Sequence, residues 1–225
     1  MAKNDFSAEA ASNYEQKCLC VLVLDISGSM EGTPITELNR GLQSFYEEIE
    51  DDPTTSQRLE VSLITFNHIV TTVQDPALVE KFKMPTLAVS GATAMVDAVR
   101  EAIAKVAARK AWYKSTGQSY YRPWIILMTD GEPDSGQDIA GLANTIKVDT
   151  AAKKYAFLPI GVEGANMSVL NQIASVDMPA MPLKGTNFKA FFQWLSASVG
   201  IIVNAEEGQT VTLADPGNWM EAFTI

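Results

Sequence analysis

The strongest constraint on this chain is the run Cys18 to Leu24, CLCVLVL, which leads straight into Asp25. Seven apolar residues without alternation suit a strand covered on both faces, as in a parallel sheet, and not a strand with one wet side. A carboxylate at the end of such a strand stands where open α/β sheets bind their ligands, beyond the carboxyl ends of the strands. The run is far too short to cross a membrane, and no other apolar run in the chain reaches that length.

Strand and helix periods then alternate. Thr33-Pro34 reads as an N-cap and first helical residue, and Ile35, Leu38, Leu42, Phe45 and Ile49 form one apolar stripe that Asp51-Asp52-Pro53 ends. Leu59–Phe66 and Ile69–Val73 read as strands joined by Asn67-His68, a tight antiparallel hairpin. Thr93 is expected to cap a second helix striped by Val96, Val99, Ile103 and Val106. Trp124–Met128 is a strand running into Thr129-Asp130-Gly131, followed by a helix with Ile139, Leu142 and Ile146 on one face. Tyr155–Val162 is the next strand, Met167 to Ile173 a short helix, Met181–Leu183 a brief last strand, and Phe188 to Ile202 the final helix. This order predicts a doubly wound, Rossmann-like α/β fold: a mostly parallel six-stranded sheet with one antiparallel edge strand and helices on both faces.

At 225 residues the chain has the size of one large α/β domain. We read residues 1–16 as a flexible start, 17–203 as the domain, and 204–225 as a tail that docks on it through Trp219 and Phe223. Gln209 to Leu213 alternates like a strand. The net charge of −10 argues against nucleic acid and anionic membrane as partners, because both need a Lys/Arg surface. Met1 to Gln16 is polar and lacks the apolar centre of a secretion signal, so the expected location is the cytoplasm. Cys18 and Cys20 then read as buried, reduced thiols on one strand face, and the sequon Asn166-Met167-Ser168 as chance.

Three loops on the carboxyl side of the sheet carry unusual polar content: Asp25-Ile26-Ser27-Gly28-Ser29, Ser90-Gly91-Ala92-Thr93 and Thr129-Asp130-Gly131-Glu132. Between them they are expected to bring two carboxylates and three hydroxyls within reach of one point, with no Lys or Arg in these stretches, and such hard oxygen donors suit Mg²⁺, Mn²⁺ or Ca²⁺ and not Zn²⁺. Two acids at most balance a divalent ion, which stays able to accept another anionic oxygen.

A hydrophobic strand running into D-x-S-x-S, a G-[AS]-T loop before a helix and T-D-G-E after a later strand resemble the metal-ion-dependent adhesion site of von Willebrand factor A domains. The matching positions are Asp25, Ser27, Ser29, Thr93 and Asp130, over a span of roughly Lys17 to Val203. Within that family, Met30, Gly32, Pro34-Ile35 and Leu38-Asn39 look similar to the bacterial tellurium-resistance TerY-like proteins, a stress-response group with kinase and phosphatase partners. The cysteine-rich zinc tail of some relatives has no counterpart after Cys20. The resemblance implies a non-enzymatic protein-binding module: the five residues hold a divalent cation, Mg²⁺ first, and a partner's Glu or Asp completes its coordination.

Alternatives remain at this point. Asp25 also suits a simple turn cap, Glu132, Asp134 and Asp97 suit solvated surface acids, and His68 an exposed turn residue. Tyr120, Tyr121, Arg122 and Trp124 read as an edge cluster. A metal-dependent phosphoesterase or a metal-free scaffold would use the same loops differently. An aspartyl-phosphate mechanism wants a second acid two residues after Asp25, where Ser27 stands, and no G-x-S-x-G, P-loop or H-E-x-x-H occurs.

Overall fold

The computed structural model describes residues 4–130, 133–162, 164–176, 178–205, 212–217 and 219. Six strands, β1 (Cys18–Asp25), β2 (Leu59–Phe66), β3 (Val70–Leu78), β4 (Trp124–Thr129), β5 (Ala156–Gly161) and β6 (Met181–Pro182), form one sheet in the order β3-β2-β1-β4-β5-β6. All pairings are parallel except β2 with β3, the edge hairpin. The order reverses at β1, so the carboxyl end of β1 is the topological switch point.

The unbroken apolar run is explained by two cores. Cys18, Cys20, Leu22 and Leu24 face a layer built on α1 (Thr33–Asp51) and α6 (Phe188–Asn204), with α1 contributing Leu38, Leu42 and Phe45. Leu19, Val21 and Val23 face the layer of α3 (Met95–Ser115), α4 (Ile139–Ala151) and α5 (Met167–Ile173). Cys18 and Cys20 share a face and are free thiols. Burial alone pushes the Cys18 thiol up to about 12. α1 and α6 pack so closely that a Cβ on Gly41 would stand 2.7 Å from the Phe192 ring.

Two local expectations are corrected and a third is extended. Gly32, not Thr33, is the N-cap of α1: its φ of 86° turns the chain, and its carbonyl accepts both the N–H and the hydroxyl of Thr36. Thr93 is not the cap of α3, which starts two residues later with Ala94 at the cap position. Asp51-Asp52-Pro53 ends α1 but also starts α2 (Pro53–Arg58), because Asp52 Oδ1 accepts from the N–H groups of Thr54 and Thr55.

The chain ends also carry packing. Where a flexible start is expected, Phe6 is buried against Trp112 and Tyr113 of α3. At the other end Trp219 is 1 % exposed, 5.0 Å from the Phe191 ring and 5.2 Å from Trp194. Of the strand expected over Gln209 to Leu213, residues 209–211 lie outside the described residues and Leu213 is not in a strand. Among the described residues no helix is long and apolar enough to cross a membrane.

Candidate metal centre

β1 and β4 run side by side, Leu24 opposite Met128, so Asp25 and the Thr129-Asp130 pair leave the sheet together. Asp25 is fully buried. Its Oδ1 accepts from the Ser27 N–H at 2.8 Å and its Oδ2 from the Thr129 hydroxyl at 2.6 Å. Burial pushes this carboxyl above its ordinary value; the bonds from Ser27 and Thr129 oppose the rise, and the neighbouring charge of Asp130 adds to it. The acid is therefore held by neutral donors.

After Asp25 the chain makes a short 3₁₀ turn, Gly28–Met30, that brings the hydroxyl oxygens of Ser27 and Ser29 to 3.1 Å of each other. Ser27 is buried and Ser29 exposed, so this pair bridges the interior and the surface.

The loop carrying Thr93 is stitched to the first loop by two backbone bonds, Ser90 N–H to the Ile26 carbonyl at 2.8 Å and Gly28 N–H to the Gly91 carbonyl at 3.1 Å. Gly91 has a φ of 74°, and a Cβ there would fall 2.2 Å from His68 Nδ1, so both the turn and the covering imidazole require glycine. Asn67 braces the loop from the β2–β3 turn: its amide donates to the Ser90 hydroxyl at 2.8 Å, and its carbonyl accepts from the Ala94 N–H at 2.6 Å. Asn39 of α1 holds the approach to this loop through reciprocal bonds with the backbone of Leu87.

Thr93 is buried, with its backbone consumed by the third loop. Its N–H donates to Asp134 Oδ2 at 3.1 Å; its carbonyl accepts from the Asp134 N–H at 3.1 Å and from Gln137 Nε2 at 2.6 Å. Gln137 Oε1 also accepts from Val96 N–H at 2.7 Å and so caps α3 from another loop. Asp130 is half-buried, and its carbonyl accepts from the Asn166 N–H at 2.6 Å. Asn166, read from sequence only as part of a sequon, caps α5 by accepting from Val169 N–H.

Asp25, Ser27, Ser29, Thr93 and Asp130 thus stand on three loops, the first of which is bonded directly to the other two. Asp134 is exposed but braces Thr93, Asp97 is exposed on α3, and Glu132 lies outside the described residues. His68 is exposed and covers Gly91. Thr129, Asn67 and Gln137 are the supporting residues that sequence reasoning missed; the only signal was a small hydroxyl or amide beside each loop. Among the described residues no three His, Cys, Asp or Glu side chains gather into a metal cluster. The donor set, with a buried acid between neutral donors and hydroxyls beside it, fits a hard divalent ion.

Comparison with known proteins places residues 20–194 in a match to the von Willebrand factor type A domain. No curated protein matches the chain. Solved structures share the fold. The vWF domain of the type V pili tip protein Mfa5 from Porphyromonas gingivalis aligns with a TM-score of 0.58 at 12 % identity, over 87 % of this chain and 99 % of that one. The pilus adhesin SpaC from Lactobacillus rhamnosus GG aligns at 0.64 and 14 % identity, over 82 % of this chain and 30 % of that one. Proximal thread matrix protein 1 from the mussel byssus aligns at 0.56 and 16 % identity; the alignment covers 82 % of this chain and spans less than half, 46 %, of that one.

Proposed function

Because this chain belongs to the von Willebrand factor type A domain family, we propose that it is a protein-binding module that holds a divalent cation, Mg²⁺ first, on Asp25, Ser27, Ser29, Thr93 and Asp130 to capture a partner's carboxylate. The observation that carries this reading is the state of Asp25: a fully buried carboxylate that accepts from the Ser27 N–H and the Thr129 hydroxyl, with no cationic side chain paired to it among the described residues. Uncompensated buried acids are costly, and a cation at this point supplies the missing charge. When bound, the ion offers an anionic oxygen from outside a Lewis-acid position that two carboxylates do not saturate.

The chain's residues do the rest. Thr129 fixes the orientation of Asp25, as outer-shell donors do at metal sites. The Asp134 and Gln137 bonds consume the backbone of Thr93 and leave its hydroxyl for the site. His68 and Ile69, both exposed at the β2–β3 turn, offer the partner an imidazole and an apolar side chain beside the second loop. The overall charge of −10 repels an acidic ligand at long range, so the partner surrounds its Glu or Asp with Lys or Arg, and the complex weakens with salt. The pilus and adhesin neighbours, named as such, support a binding use over a catalytic one. A cytoplasmic stress-response setting of tellurium-resistance type, with kinase, phosphatase or other operon products as partners, is supported by the Met30, Gly32, Pro34-Ile35 and Leu38-Asn39 pattern.

The test is affinity capture from the native host with the chain as bait, in Mg²⁺ and in EDTA, read by mass spectrometry. A partner retained only in Mg²⁺ and lost with Asp25→Ala is the expected result. A partner that binds equally in EDTA and survives Asp25→Ala overturns the reading.

A further inference from the structure

At the end of the sheet opposite the three loops, α3, α4 and the start of β5 enclose a groove of about 400 Å³. Its floor is apolar, formed by Ile103, Val106, Ala107 and Ala111 of α3 and by Tyr155. Ala107 and Ala111 lie one helical turn apart and are exposed, so an incoming side chain meets little bulk on that face of the helix.

The rim has the opposite sign to the molecule. Lys110, Lys114 and Lys154 stand around the groove, and Asp149 is the one carboxylate among its described lining residues. Asp149 is already engaged, accepting from Lys154 Nζ at 2.7 Å and from the Tyr155 hydroxyl at 3.3 Å. Lys110 is held in place: its Nζ donates to the Lys154 carbonyl at 3.0 Å and lies 5.7 Å from the centre of the Tyr120 ring. Burial first, and then the like charges of Lys114 and Lys154, lower the pKa of Lys110. A chain with a net charge of −10 therefore gathers three lysines against one acid around an apolar floor. The rim attracts anions and the floor rewards an apolar anchor.

We propose that this groove is a second docking site, for an acidic segment of a protein partner that sets one or two apolar residues among its carboxylates. Both halves of that chemistry are needed. A bare polyanion would leave the floor uncovered, and an extended anionic surface would be repelled by the rest of the domain. Lys110 lies fifteen residues along α3 from Met95, which at about 1.5 Å per residue is about 23 Å from the helix end beside Thr93. The two sites are therefore separate, and this proposal does not rest on the cation reading.

The experiment uses the full chain in EDTA and a fluorescein-labelled peptide of about twelve residues, Glu-rich with two Leu four positions apart, read by fluorescence anisotropy. Saturable binding is expected, weakening about tenfold between low and physiological salt. Lys114→Glu, at an exposed position, is expected to weaken binding about tenfold, and Lys110→Gln with Lys114→Gln about as much, with unchanged urea midpoints and an unchanged Mg²⁺ response. Replacing both Leu of the peptide by Ser should weaken it by a similar factor. No saturation up to about 1 mM peptide overturns the proposal. So does full affinity in Lys114→Glu, or equal binding of a peptide with Lys in place of Glu. Lysine-dependent co-sedimentation with phosphatidylserine vesicles, without peptide binding, overturns it in favour of a membrane surface.

Discussion

Two buried carboxylates on the same sheet are treated in opposite ways. Glu60, at the start of β2 and 3 % exposed, receives Arg109 in a two-pronged pair, Nε and Nη2 each at 2.8 Å, and the Tyr113 hydroxyl at 2.6 Å. The remaining nitrogen of Arg109 reaches Glu9 of the N-terminal segment at 2.6 Å. Asp25, at the end of β1 and fully buried, receives an N–H and a hydroxyl. At the base the protein neutralises its buried acid with its own cation, and the result is structure. At the other end the acid is fixed in direction, but among the described residues no cation is paired with it, and that imbalance is what the proposed metal site would use.

Breaking the base should have the largest effect. Arg109→Met leaves Glu60 buried without its counter-ion and should cost about 3–5 kcal/mol in urea unfolding, and Arg109→Met with Glu60→Gln should recover much of that loss. The same kind of change at the other end should behave differently. A folded acid held above its ordinary value keeps its proton more tightly than the unfolded chain does, so the contribution of Asp25 to stability falls as pH rises from the ordinary carboxylate value through the folded one. Asp25→Asn should therefore make the metal-free domain more stable than the parent at neutral pH. It should also abolish the gain from saturating Mg²⁺, about 2.7 kcal/mol for the parent at a hundredfold excess over Kd, read by thermal melts. A parent that shows no Mg²⁺ shift would erase the contrast between the two ends.

Smaller changes sharpen it. Thr129→Val removes the hydroxyl that aims Asp25 and should weaken Mg²⁺ binding about 10–100-fold by calorimetry while the fold persists. Gly91→Ala forces a side chain onto a φ of 74° under the His68 ring and should cost about 1–2 kcal/mol, with a matching fall in Mg²⁺ affinity as the loop shifts. Gln137→Ala uncaps α3 from outside and should cost about 1 kcal/mol in thermal or urea unfolding.

The two ends also differ in how well they can be read from sequence. Strand β1 announces itself because every residue in it is buried, and Asp25, Ser27 and Ser29 are local, within five positions of one another. Asp130 opens the loop after β4 and Thr93 closes the loop before α3, so the regular elements on either side give both positions away. Their supports are not: Thr129 meets Asp25 from 104 positions away, and Gln137 caps a helix that begins more than forty residues earlier. Thr93 reads as the cap of α3 for that reason, since local patterning has no means of showing a cap supplied by another loop. The base is harder still. Lys105 and Arg109 sit four apart on α3 like ordinary surface cations, yet both are buried by partners from the N-terminal segment and the β2–β3 hairpin. A polar start that reads as loose gains its place from Phe6, under the Arg109 guanidinium, and from the bonds of Asn4 and Glu9 with Lys105 and Arg109.

The free thiols of β1 have a practical consequence. Cys18 and Cys20 are the chain's only cysteines, lie wholly inside the core layer shared with α1 and α6, and are held protonated by burial. Thiolate is the reactive form, so the folded domain should be silent to maleimides and disulfide reagents, and every labelling event reports an opening of the central strand. The wild-type chain thus carries its own hydrogen-exchange-like clock for the sheet. A single cysteine introduced on an exposed rim, beside either docking face, can take a dye without first removing the native pair.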